Sequence, residues 1–96
     1  IDLEVGVSYS ADLKKTKAVI EQLLLSEERR LKDEAVQVFV SELGDSSVTI
    51  GARVWVPTDL YWDIRWALTE EMKNALDENG IEIPFPQLDV NVKNPV

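Results

Sequence analysis

The chain has 96 residues, 10 of them basic and 18 acidic, for a net charge of −8 at neutral pH and a hydrophobic fraction of 45%. That is the size and apolar content of one small globular domain, and its charge opposes binding to nucleic-acid phosphates or an anionic lipid surface. Cysteine and histidine are both absent, which excludes disulfides, thiol nucleophiles, the usual zinc sites and imidazole acid–base catalysis; no apolar run approaches the roughly 20 residues that cross a bilayer.

The first element is a half-buried strand, because Ile1, Leu3, Val5, Val7 and Tyr9 alternate with Asp2, Glu4, Gly6 and Ser8. Ser10 is the expected cap of a helix running to about Ser26, with Asp12 in its first turn near the positive end of the dipole. Leu13, Ile20, Leu23 and Leu24 point inward, while Lys14, Lys15 and Lys17 are solvated. Glu27 to Glu34 reads as a last turn and an exposed loop. A second strand sets Val36, Val38 and Val40 against Gln37, Phe39 and Ser41, and Gly44-Asp45-Ser46 makes a tight turn. In the third strand Val48, Ile50, Ala52, Val54 and Val56 oppose Thr49, Gly51, Arg53 and Trp55. Pro57 stops it, and Thr58 is placed to cap a second helix lasting to about Asn79. That helix has Leu60, Ile64, Ala67, Leu68 and Ala75 inward and Met72 at the margin. Gly80 ends it, and Ile81 to Ile83 form a short fourth strand.

The resulting order, βαββαβ, predicts an α+β fold: a ferredoxin-like two-layer sandwich with both helices on one sheet face. Phe39, Arg53 and Trp55 then share the open face with Asp2, Glu4, Gly6 and Gly51. The α/β domain spans residues 1–86. Residues 87–96 form a tail in which Leu88, Val90 and Val92 alternate with polar residues, an orphan strand whose edges need a partner.

No motif for chemistry emerges. Ser46 and Ser47 beside Asp45 lack a base and a strained elbow, so a hairpin turn is the better reading. The carboxylate pairs Glu27/Glu28, Glu70/Glu71 and Asp77/Glu78 point about 100° apart on a helix and do not converge. The glycines are scattered and build no phosphate-binding loop; on the open face, Gly6 and Gly51 either admit another backbone or simply lack a side chain. Trp62 and Trp66 are different. They lie about 200° and 240° around the helix from Leu60, opposite the inward stripe. Cover from within, by the Glu27 to Glu34 loop or the tail, is one reading. A subunit contact is the preferred one, since large apolar patches on a soluble surface usually meet something.

Three segments together carry a family resemblance: Glu42-Leu43-Gly44-Asp45-Ser46-Ser47-Val48, then Arg53-Val54-Trp55-Val56, then Pro84-Phe85-Pro86-Gln87 leading into the tail. With the Tyr61-Trp62 helix start between them, the chain from Ile1 to about Val92 resembles the C-terminal cytoplasmic domain of the small-conductance mechanosensitive channels, the MscS type. The resemblance implies a homo-oligomer, a heptamer in the full channel. Its cytoplasmic domains enclose a vestibule through which ions and small solutes pass during osmotic downshock. Leu88, Val90 and Val92 then belong to an intersubunit parallel barrel, parallel because strands related by rotation about an axis they follow point the same way. The implied location is the cytoplasmic side of a bacterial inner membrane, with membrane contact only through an N-terminal region that this piece lacks. No cofactor, metal or catalytic residue is expected, and no nucleic-acid partner. Two other classes share the predicted fold. A small-metabolite-binding regulatory module has no need of the tail strand. An acylphosphatase-like enzyme needs a phosphate loop where Tyr9-Ser10-Ala11-Asp12 stands.

Overall fold

The computed structural model describes residues 1–84. Strand β1 (Asp2–Val7), helix α1 (Leu13–Leu25), strands β2 (Gln37–Leu43) and β3 (Val48–Arg53), a 3-10 turn (Thr58–Leu60) and helix α2 (Tyr61–Glu78) follow in chain order. The sheet has the order β1-β3-β2, and both pairings are antiparallel. Leu3 faces Ala52, Val5 faces Ile50 and Val7 faces Val48, so the apolar half of each alternation falls on one side. Both helices cover that side. Ile20 and Leu24 of α1 and Ile64 and Leu68 of α2 are almost wholly buried against Val48, Ile50, Ala52 and Val54. This is the α+β two-layer sandwich expected from the element order.

Local chemistry moves several details. Asp12 caps α1, its carboxylate accepting from the backbone N–H of Lys15 at 3.2 Å. Ser10 does not, because its backbone N–H and hydroxyl are both engaged with the Ser8 hydroxyl. Thr16 is fully buried within α1, which is tolerable because its hydroxyl donates to the Asp12 carbonyl. Thr58 makes no capping bond; it opens the 3-10 turn, and α2 starts one turn later than its position suggested. The buried stripe of α2 is Ile64, Leu68, Met72 and Leu76, a strict four-residue repeat with Met72 inside it rather than at its margin. Ala67 and Ala75 are only half-buried.

In β2 a bulge lies between Val40 and Glu42, so that Ser41 is the extra residue. β2 is an edge strand, and α1 leaves its inward side partly open: Val40 is 38% and Leu43 70% exposed. The α2 terminus forms a Schellman motif. Gly80 has φ +72°, its N–H donates to Asp77, and the Ile81 N–H donates to Leu76 at 2.9 Å. Ile81 to Ile83 do not make a strand. The segment reaches β1 through one backbone bond, from Ser8 N–H to the Glu82 carbonyl at 2.9 Å, and Pro84 follows with no N–H to extend a ladder. The tail strand expected at Leu88, Val90 and Val92 lies outside the described residues.

Candidate functional site

The open face of the sheet has a built polar cluster over an aromatic floor. Phe39 lies across Gly51 so closely that a Cβ at that glycine would stand 2.5 Å from the ring. The Arg53 guanidinium sits 5.7 Å from the Phe39 centroid, a cation–π distance, and its Nε donates to Asp2 Oδ1 at 2.6 Å. A second donor reaches Gln37 Oε1 at 3.3 Å, and the Ser41 hydroxyl donates to Glu4 at 3.1 Å. The Arg53 hydrogen bond holds the Asp2 carboxyl below the ordinary carboxylate range. The Ser47 hydroxyl would lie 2.9 Å from a Cβ at Gly6. Neither glycine therefore admits another backbone or faces empty space: in each case a side chain of the neighbouring strand or turn occupies the room. The cluster is internally satisfied, with each charge answered by a neighbour on the same face.

The loop between α1 and β2 is tied down at one residue that the sequence reading left exposed. Glu27 is 9% exposed overall, and its carboxylate accepts from the Arg29 backbone N–H, Nε and Nη2 at 2.9, 2.9 and 3.0 Å. Those bonds lower the Glu27 pKa and raise that of Arg29, to which Asp63 and Glu71 of α2 add a weaker attraction. The same loop is tied to the segment after β3, where the Leu31 N–H donates to the Trp55 carbonyl at 2.8 Å. Its acidic and basic residues gave no signal that this particular glutamate folds inward.

Trp62 and Trp66 are left uncovered by that loop. They are 58% and 64% exposed. Four residues apart on one helix face, they meet with ring centroids 5.8 Å apart, and Tyr61 meets Trp62 edge-on at 5.0 Å. The three rings form a ridge at the start of α2. It is held by Arg65, whose guanidinium donates to the Asp2 carbonyl at 2.9 Å and anchors that turn to β1. Such a ridge offers large, rigid apolar area with little side-chain entropy to lose on docking. Among the described residues no helix is long and apolar enough to cross a membrane, and no three acidic side chains converge on a metal site. Of the five residues expected at a subunit contact, Trp62 and Trp66 are brought together here; Leu88, Val90 and Val92 lie outside the described residues.

Comparison with known proteins gives a consistent result. Residues 1–83 match the family described as "Mechanosensitive ion channel MscS, C-terminal". A small-conductance mechanosensitive channel of Edwardsiella ictaluri is 41% identical over 92 residues, 96% of this chain and 32% of that protein. An MscS family protein of Archaeoglobus fulgidus is 41% identical over 83 residues, 86% of this chain and 29% of that one. The crystal structure of Helicobacter pylori MscS in its closed state superposes with a TM-score of 0.84 at 33% identity, over 99% of this chain and 38% of that one. The chain thus spans about a third of the length of these relatives.

Proposed function

Because this chain belongs to the MscS family of mechanosensitive ion channels, as its C-terminal domain, we propose that it is the soluble vestibule domain of such a channel. In this reading it lies on the cytoplasmic side of the membrane and assembles with further copies, seven in the closed ring. Its part in osmotic downshock is to hold the ring together and to filter the ions and solutes that reach the pore. The domain carries no catalysis. The observation that carries the assembly role is the Trp62–Trp66 ridge, exposed in the single domain yet too large and apolar to suit water. The tail residues Leu88, Val90 and Val92 supply the second contact, as strands of a parallel barrel around the symmetry axis.

A chimera tests the reading. In the Edwardsiella ictaluri channel, the C-terminal third that this chain matches is replaced by this chain and expressed in cells lacking their own mechanosensitive channels. The expected result is survival of osmotic downshock, a tension-gated conductance in membrane patches, and a sevenfold oligomer in detergent. A chimera that inserts in the membrane but stays monomeric and electrically silent overturns the proposal.

A further inference from the structure

Strand β2 has one half that nothing in its own sequence protects. An edge strand is ordinarily guarded against a neighbouring chain by a lysine, a proline, a bulge or a covering segment. On the opposite edge, β1 carries Asp2 and Glu4, and the chain beyond its end is met at Ser8 by the Glu82 carbonyl. In β2 the bulge comes only after Val40, and the stretch Gln37-Val38-Phe39-Val40 before it holds no charge and no proline. Phe39 and Val40, on opposite faces of that stretch, are 37% and 38% exposed. A groove runs beside it, with Lys17 and Glu21 of α1 on one wall, Val36 and Val38 on the floor, and Phe39 and Arg53 on the other wall.

We propose that this half of β2 pairs antiparallel with the same half of a second copy, about a two-fold axis normal to the sheet. Such an axis keeps the helices of both copies on one side, so only residues of like face are opposed. Phe39 then meets Phe39, and Val38 meets Val40 of the other copy, covering the apolar strip that α1 leaves open. The charges on α1 identify the occupant as a second copy. Lys17 and Glu21 stand four residues apart, about 6 Å along the helix, with the lysine first, the weaker order for an internal pair. Among the described residues neither takes part in a salt bridge. A two-fold axis passing between them sets each Lys17 against Glu21 of the other copy, so the groove is complementary to itself. A partner of one charge would gain at one of these residues and lose at the other. Neighbours in a ring meet through unlike patches, so this contact is separate from the Trp62–Trp66 ridge and links copies that are not ring neighbours. It stands whether or not the channel reading does.

The 96-residue chain carrying Trp62→Ser and Trp66→Ser lacks the ridge and leaves this contact to be measured by itself. In sedimentation equilibrium it should dimerise with a dissociation constant below about 1 mM. Lys17→Glu and Glu21→Lys should each weaken the dimer roughly tenfold, and the two together should restore it. The first change makes the chain more acidic and the second less, so a general charge effect would move them in opposite directions. Val40→Lys, which puts a lysine on the inward side of the edge, should leave the chain monomeric with an unchanged circular dichroism spectrum. A chain still monomeric at about 1 mM, a dimer that survives Val40→Lys, or a double charge exchange that pairs no more tightly than the single ones overturns the proposal.

Discussion

Gly51 is defined by what lies over it. Its missing side chain is the space that Phe39 fills, and Phe39 in turn is the platform for Arg53. Gly51→Ala should therefore displace the ring and cost about 1 kcal/mol, at the low end of overpacking because Phe39 is on an edge strand and can yield. In a Phe39→Ala background the same change should be close to neutral, or mildly stabilising as the unfolded chain loses freedom. Urea unfolding of the four proteins in that cycle checks it, and additivity of the two changes would mean that they do not share the space. Glu27 offers a test by pH. Its folded pKa is lowered, chiefly by the Arg29 hydrogen bond. Its contribution is therefore complete above the ordinary carboxylate range and disappears as pH falls through the folded value. Glu27→Gln should lower the melting temperature by a few degrees at pH 7, and the difference from wild type should shrink steadily as the solution is acidified through and below the ordinary carboxylate range.

At the scale of elements, the start of α1 separates two candidate caps. Asp12→Ala should destabilise by about 1 kcal/mol and Ser10→Ala by much less, as read by thermal unfolding. The strands and helices themselves were legible in the sequence because period-two and period-3.6 patterns survive in them with little interruption. What was not legible depends on bonds that pattern does not encode. Ser10 is taken out of the capping role by the Ser8 hydroxyl. The buried row of α2 keeps a four-residue spacing from Ile64, so that Leu76 enters the core and the neighbouring Ala75 stays at its edge. In place of the expected fourth strand, the segment from Ile81 to Ile83 makes one backbone bond to Ser8, and Pro84 after it has no N–H to add to a ladder. The exposure of Trp62 and Trp66 was readable from their angle on the helix, and the inward turn of Glu27 was not, since its partner Arg29 is only one charge among many in that loop. Changing both tryptophans to serine should leave the melting temperature of the single domain within about 2 °C of wild type, because both rings are more than half exposed. In the chimeric channel the same pair of changes should make the oligomer dissociate at a lower temperature in detergent gels. A large loss of stability in the single domain would instead mean that the ridge is covered within its own chain.

For the molecule as a whole, the described residues form a slab of 40 × 33 × 22 Å with the aromatic ridge on α2 and the polar cluster on the opposite, open side of the sheet. Helices on one face and the Asp2–Arg53–Phe39 cluster on the other give it two unlike surfaces, and the ridge belongs to the helical one. With a net charge of −8 per copy, neighbouring domains repel at long range. The assembly proposed above would therefore rely on short-range apolar contact, for which the paired tryptophans are the proposed source and which salt would strengthen by screening the repulsion.

The sheet order has a consequence for how the chain reaches this state. β3 sits in the middle and pairs with two strands at very different cost. β2 is joined to it by a tight turn, closed by the Gly44 N–H on the Ser47 carbonyl at 2.9 Å. β1 meets it only after about 40 to 50 intervening residues have been gathered in, from Val7 opposite Val48 to Asp2 opposite Arg53. The hairpin should therefore be formed at the rate-limiting step and β1 should join late. In stopped-flow experiments Val38→Ala should slow folding, whereas Val7→Ala should leave the folding rate nearly unchanged and speed unfolding at least tenfold. On the ribosome the order of appearance is the reverse. At roughly 5–20 residues per second, β1 waits about two to ten seconds for its partner to be synthesised. For that interval Leu3, Val5 and Val7 lie on an uncovered strand, and the carboxylates of Asp2 and Glu4 between them repel the same segment of a neighbouring nascent chain.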